Sequence, residues 1–377
     1  MKLAFCLFKF FPWGGLQRDF LRVAGMCRAR GHEIDVFTME WDGDPPAGMN
    51  VTEFPPWGMS NHTQCRRFAA QVAEALGHSD YDAVIGFNKM PGLDVYFGGD
   101  PCYMASFSRG SQRLVRWSDR YRTYCEFEEA VFGRHSRTQI LLLSEVEKPK
   151  FEACYGTQPE RFHVLPPGLV PERIAPPNAE EIRVRTRRRH GLVEDDLLLM
   201  MVGSGFHTKG LDRSLKAIAH LPEELRRRSR LYVIGRGKTG PFLRLAGRLG
   251  VSDRVHLLGG RHDVLPFLLA ADLLLHPSYM ENTGGVLIEA MAAGLPILAS
   301  DVCGYRGHIE RAQAGYLVPS PFRQQTFEHL LEEMLTSPRR EEWQRNGLAY
   351  VGRTDVFSMH DRAVELIERT ALRRNAA

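Results

Sequence analysis

The sequence predicts an α/β protein built from two Rossmann-like parallel-sheet domains, and three observations carry that prediction. Short, continuously apolar runs alternate with helical stretches from end to end, the pattern of parallel strands covered on both faces. The chain has 377 residues, too many for one ordinary core and enough for two domains of about 150–200 residues each. A dense cluster, Leu165-Pro166-Pro167-Gly168-Leu169-Val170-Pro171 followed by Pro176-Pro177, separates two series of such runs and continues neither a helix nor a central strand.

In chain order, the first series places strands at 3–8, 34–38, 83–87 and 139–143. The second places them at 197–202, 230–234, 255–258, 273–275 and 296–299, with its first element near Asn178. The domains are therefore 1–168 and 169–355. A final helix within 356–377, with apolar residues at helical spacing over 357–373, is expected to cross back to the first domain. The opening apolar run is short and broken by Lys9, which suits a buried strand rather than a signal peptide. No run of about 18 apolar residues is present, so no membrane span is expected.

Composition narrows the function. With 44% hydrophobic and 25% charged residues and a net charge of +4, the chain reads as globular and too mildly basic for a general nucleic-acid binder. Seven cysteines without C-x-x-C spacing suit reduced thiols in a cytosolic protein, where two formal Asn-x-Thr sequons carry no meaning.

In parallel sheets, ligands gather at the carboxyl ends of the strands. After the first strand come Gly14-Gly15, then Asp19 one turn into a helix. The glycines either admit a phosphate to backbone amides or form an ordinary tight turn, and Asp19 either serves a ligand or favours the helix dipole. In the second domain, Gly203-Ser204-Gly205-Phe206-His207-Thr208-Lys209-Gly210 departs from both the P-loop and the dinucleotide pattern. It remains a glycine loop delivering one lysine to a helix start, suited to neutralising a diphosphate. Gly235-Arg236-Gly237-Lys238-Thr239-Gly240 matches G-x-G-x-x-G, but no acidic residue ends a strand about 20 residues later, and it reads as a loop without cofactor. The strongest signal is Glu281-Asn282-Thr283-Gly284-Gly285 with Glu289 inside an otherwise apolar helix. A carboxylate in such surroundings needs a partner, for which a pair of ribose hydroxyls is suitable.

The Glu-x₇-Glu element, Lys209 and the Gly14-Gly15 turn resemble the retaining glycosyltransferases of family 4, whose fold is GT-B: two Rossmann-like domains facing across a cleft. Within that family, Phe8-Lys9-Phe10-Phe11-Pro12-Trp13-Gly14-Gly15, Gly86-Phe87-Asn88-Lys89-Met90-Pro91-Gly92, Leu165-Pro166-Pro167-Gly168 and Val302-Cys303-Gly304-Tyr305 are similar to the lipopolysaccharide core glucosyltransferases of Gram-negative bacteria. The resemblance implies transfer of glucose from UDP-glucose to the inner-core heptose, in α-1,3 linkage, at the cytoplasmic face of the inner membrane. Another nucleotide sugar or another lipid-linked acceptor is the alternative.

Residue by residue, the resemblance implies that Glu289 holds the donor ribose. Glu281, with Asn282, Thr283 and Gly284, holds the sugar and diphosphate, while Lys209 and the Gly15 amide stabilise the diphosphate. Asp100 faces the acceptor, so Asp100, Lys209 and Glu281 form the catalytic set. Gly14, Asp19, Arg173, Gly203 and Arg261 complete the donor-binding set. Gly203 stands where many members carry an arginine, and Arg173 or another cation is expected to substitute. Glu281-Asn282-Thr283 replaces the usual Glu-Gly-Phe. No cofactor and no metal are implied; Asp42-Gly43-Asp44 reads as a turn. Retention by front-face substitution, with the departing phosphate helping to deprotonate the acceptor hydroxyl, is the implied route.

Residues 103–138 concentrate arginines among aromatic residues. Leu114, Trp117, Tyr121 and Tyr124 fall on one face of an assumed helix, and Arg113, Arg116 and Arg120 beside it. The segment reads either as a contact with the anionic inner-membrane surface, through Arg109, Arg113, Arg116, Trp117, Arg120 and Tyr121, or as a solvated basic face over a core stripe.

Overall fold

The computed structural model describes residues 1–12, 14–107 and 115–375. They form two compact units, Met1–Pro166 with Ser358–Ala377, and Pro167–Phe357.

The first unit carries strands β1 (Lys2–Cys6), β2 (Lys9–Phe10), β3 (Glu33–Thr38), β4 (Glu40–Trp41), β5 (Asn50–Glu53), β6 (Ala83–Gly86), β7 (Val95–Gly98), β8 (Gln139–Leu142) and β9 (Phe162–Val164). Seven of them make one parallel sheet in the order β5-β3-β1-β6-β7-β8-β9, and β2 pairs with β4 alone. Alternation along β1 shows why its run is continuously apolar. Leu3 and Phe5 enter a core with Phe20, Val23 and Phe87, whereas Ala4 and Cys6 enter another with Phe68, Val131 and Phe151. The helix Met359–Asn375 buries Met359, Ala363, Val364, Ile367 and Ala371, spaced at three and four residues, against the first of these cores.

The second unit carries β10 (Leu197–Val202), β11 (Ser229–Ile234), β12 (Val255–Gly259), β13 (Leu273–His276), β14 (Ile297–Ser300) and β15 (Gly315–Val318). They form a parallel sheet in the order β12-β11-β10-β13-β14-β15. Leu198 and Met200 of β10 face one core, Leu197, Leu199 and Met201 the other.

Besides the two-residue strands β2 and β4, four strands of the two main sheets were not expected from the sequence: β5, β7, β9 and β15. Mostly exposed β5 is polar, Asn-Val-Thr-Glu. β9 is a three-residue edge and β15 an edge opened by a glycine, so none of the three shows a long apolar run. β7 is fully buried but only four residues long. The first expected strand also stops early: after Cys6 the chain leaves the ladder, and the Phe8 amide donates to Asn88 Oδ1 at 2.7 Å.

The 103–138 region is not one amphipathic helix. Helices run over Tyr103–Ser106 and Asp119–Phe132. Ser118 caps the second, its hydroxyl accepting from the Tyr121 amide, so Trp117 lies outside that helix and the assumed face is broken there. Arg109, Arg113 and Leu114 lie outside the described residues, as does Trp13.

Candidate functional site

In the second unit the loops after β10, β11 and β13 build one constellation. Gly203, at φ +147°, leaves room for the Lys209 chain, whose carbons would lie 3.0–3.3 Å from any added Cβ. A larger residue at 203 would have to push that lysine aside and adopt a left-handed backbone that side chains rarely take. Gly210, at φ +75°, sits so close to the Pro277 carbonyl that a Cβ would fall 2.1 Å from its oxygen. The helix Leu211–His220 follows directly. The G-x-G-x-x-G stretch acts as a brace for this loop: Gly205 donates to the Arg236 carbonyl, the Arg236 amide to Ser204 Oγ, and a Cβ on Gly235 would meet the Gly203 carbonyl.

Glu281 follows β13, and its main chain is tied to the 302–305 stretch. It bridges Cys303, its carbonyl accepts from Gly304, and that of Thr283 accepts from Tyr305. Gly284, at φ +96°, then starts the helix Gly285–Ala292. Glu281 Oε2 receives Lys209 Nζ and lies 3.0 Å from Nε2 of the buried His276. Burial, the largest single influence, pushes the Glu281 carboxyl up; the hydrogen bonds and charges of His276 and Lys209 together outweigh it and hold the pKa at about 2. On the same helix, half-buried Glu289 accepts from Arg173 at 3.2 Å. Arg261 is committed to Asp263 through two bonds of 2.8 and 2.7 Å and lies over the Phe267 ring.

In the first unit, residues at the carboxyl ends of β1, β6 and β7 converge. Gly14 caps the helix Gly15–Ala29. A Cβ on Gly14 would collide with Gln17, and one on Gly99 would meet Leu16 at 2.9 Å, so the glycine turn and the Asp100 loop are neighbours. Asp19 pairs with buried His360 at 3.0 Å, a partner that the early sequence does not announce. Asp100 is exposed as a residue, yet the protein crowded around its carboxyl raises its pKa; Lys89 opposes the rise and Glu128 adds to it. Lys89 Nζ donates to the Pro101 carbonyl at 2.6 Å and to buried Glu128 at 2.5 Å. Glu128 also accepts from the Tyr103 and Met104 amides and the Tyr155 hydroxyl. This knot pins the chain just after Asp100.

The comparisons agree with this geometry. Residues 13–173 match the family described as Glycosyltransferase Family 4, and residues 183–349 match Glycosyl transferases group 1. The chain is 43% identical over 371 residues to the lipopolysaccharide glucosyltransferase WaaG of Escherichia coli K12, covering 97% of this chain and 98% of that one. This chain is a family-4 glycosyltransferase. A crystal structure of WaaG, described as a glycosyltransferase involved in lipopolysaccharide biosynthesis, superposes with a TM-score of 0.91 at 42% identity, covering 97% of this chain and 99% of that one. It places the family-4 chain in the GT-B fold. A D-inositol 3-phosphate glycosyltransferase of Thermobifida fusca is 32% identical, covering 87% of this chain and 82% of its own. The Anabaena HepE structure with UDP and glucose shares the fold alone, at 19% identity and a TM-score of 0.74, with 98% of this chain and 100% of that one covered.

For this family-4 transferase, the structure brings Gly203, Lys209, Glu281, Asn282, Thr283 and Gly284 together, and joins Arg173 to Glu289. Arg261 is held by its own neighbour, while Gly14, Gly15, Asp19 and Asp100 belong to the first unit. His276, which contacts Glu281, and Lys89 and Glu128, which fix the chain after Asp100, were not singled out as site residues from the sequence. Glu128 is in helical register with Tyr124, Val131 and Phe132, a signal that its side chain is turned inward. In the basic segment, Trp117 is 80% exposed, and Arg116 and Arg120 are exposed. Tyr121 is half-buried, its ring packed on Tyr103 and Phe107 at 6.0 and 5.6 Å.

Proposed function

We propose that this glycosyltransferase moves glucose from UDP-glucose to the inner-core heptose of lipopolysaccharide, retaining the anomeric configuration, forming an α-1,3 linkage and using no metal. The observation that carries the donor half is the Lys209–Glu281–His276 cluster on glycine-bearing loops, with Glu289–Arg173 on the same helix. The name of the E. coli relative, matched over nearly its full length, supports the acceptor and the sugar.

Breaking the bond between glucose C1 and the diphosphate sends the electron pair to the leaving oxygen and leaves oxocarbenium character on the sugar. An incoming diphosphate takes Lys209 from Glu281, exchanging one anionic partner for another. That releases the carboxylate, still held by His276, to receive sugar hydroxyls. Lys209 then stabilises the charge growing on the departing phosphate, aided by the positive end of the helix Gly285–Ala292. The departing phosphate accepts the proton of the heptose hydroxyl as the new bond forms on the same face. Glu289 and Arg173 hold the ribose side of the donor, and Asp100 faces the acceptor.

Exposed Arg116, Trp117 and Arg120 support peripheral attachment to an anionic inner-membrane surface on the cytoplasmic side, where a lipid-anchored acceptor is presented. No helix among the described residues is long and apolar enough to cross a membrane. Transfer is tested with heptose-terminated lipopolysaccharide and a panel of nucleotide sugars, in the presence and absence of EDTA. Glucose transferred from UDP-glucose alone, unaffected by EDTA, with an α-1,3 product by NMR, is expected. Preference for another donor, favoured by Asn282-Thr283 standing where Gly-Phe is usual, or loss of transfer in EDTA, overturns the assignment.

A further inference from the structure

We infer that the loop at residues 55–59, together with Arg67, makes a second contact with an anionic membrane surface, beside the segment at 115–122; this rests on the membrane reading above. The loop holds Trp57 72% exposed and Met59 wholly exposed. Leaving large apolar side chains in water forfeits the stabilisation that burial of either provides. The exposure is not looseness. Pro55 and Pro56 restrict the approach, Gln64 Nε2 donates to the Gly58 carbonyl at 2.9 Å, and Gly58, at φ +134°, packs against Thr63. The Arg67 guanidinium donates to the Trp57 carbonyl and stacks 3.5 Å from the indole centroid. Trp57 is thus fixed outward with a cation on its face, a pair that matches the boundary between lipid phosphates and acyl chains.

Charge favours the same occupant. Residues 54–73 contain Arg66 and Arg67 and no Asp or Glu. The patch is also continuous with the basic segment: Arg66 donates to Thr123 of the helix Asp119–Phe132, whose amino end follows Arg116 and Trp117 and carries Arg120. Among the residues at 115–122, Asp119 alone opposes Arg116, Arg120 and Arg122. An aliphatic, fully exposed Met59 gains little from nucleic acid but dissolves in acyl chains. An anionic bilayer satisfies the arginines, the indole and the methionine together.

The test is co-sedimentation of the full chain with phosphatidylcholine vesicles, with and without phosphatidylglycerol, at low and high salt. The variants are W57S/M59S, R67Q and R116Q/R120Q. W57S/M59S is expected to weaken binding to the anionic vesicles on the order of tenfold, as partial loss of two buried apolar groups implies. R67Q reduces it by roughly fivefold at low salt and less at high salt. Transfer to a delipidated acceptor stays unchanged in both. Wild-type binding that R116Q/R120Q weakens but W57S/M59S leaves untouched overturns this inference alone, including the case in which the loop docks a protein. Wild-type indifference to lipid charge and salt removes the membrane reading itself, and this contact with it. Melting temperatures matching the wild type establish that the variants are folded.

Discussion

The two units each contain an ion pair of lysine with glutamate, and the pairs do different work. Glu128 is buried to 1% of its side chain, and its carboxylate accepts from Lys89, from two backbone amides and from Tyr155. A carboxylate offers about four acceptor positions, so this one is saturated, and two of its donors are backbone amides that cannot leave without moving the chain. Glu281 collects Lys209 and His276 on the single oxygen Oε2, and both donors are side chains. Lys209 stands on a glycine loop, and in the proposed reaction the donor diphosphate draws it off. The residue types are alike in the two pairs. What separates the two carboxylates is that backbone amides are among the donors to Glu128 and not among the two named for Glu281.

The largest expected effect comes from breaking the Glu128 pair. Glu128→Ala strands Lys89 and two amides, and is expected to lower unfolding free energy in urea by about 3–5 kcal/mol. A loss below about 1 kcal/mol would remove the distinction. Lys209→Ala is expected to cost clearly less stability in the same measurement, yet to lower turnover on the order of 10²–10³-fold, as loss of a preorganised donor does. If UDP-glucose affinity falls by the same factor while turnover stands, Lys209 only binds. Glu289→Ala is expected to weaken UDP binding by about 1.5–3 kcal/mol in calorimetry, with or without EDTA. Unchanged affinity would take the ribose away from Glu289.

The smallest effect is a pH dependence. The Glu281 carboxyl lies near 2 in the folded chain against an ordinary 4.5. Its contribution to stability is therefore complete above about pH 4.5 and lost as pH falls towards 2. Urea midpoints of wild type and Glu281→Gln should converge on acidification across that window. Parallel curves would mean that the pair contributes nothing to folding.

The sequence carried the buried strands and the donor loops well, because β1 and β10 are covered on both faces and their apolar runs are unbroken. It carried edges poorly. β5 exposes three of its four residues and is polar, like a loop, while β15 opens on a glycine and leaves only Tyr316, Leu317 and Val318 as an apolar run. At the site, Glu281, Glu289 and Lys209 were legible as polar groups in apolar or glycine-rich surroundings. Their partners were not: Arg173 is 116 residues from Glu289, and Lys209 is 72 from Glu281. His276 looked like the end of a strand, and Asp19 gave no hint of His360, 341 residues away. The stripe drawn through Trp117 and Tyr121 failed at Ser118, where a capping hydroxyl is a stronger local determinant than apolar spacing.

The return of residues 358–377 to the first unit sets a schedule for synthesis. Once residue 166 has left the ribosome, every strand of the seven-stranded sheet exists, but Leu3, Phe5, Phe20 and Phe87 still lack the helix that completes their core. That helix arrives only after the roughly 190 residues of the second unit, a wait of roughly 10–40 s at ordinary elongation rates. The half begun first is thus the half finished last, and it spends the interval with an open apolar trough. A nascent chain in that state is a client for chaperones.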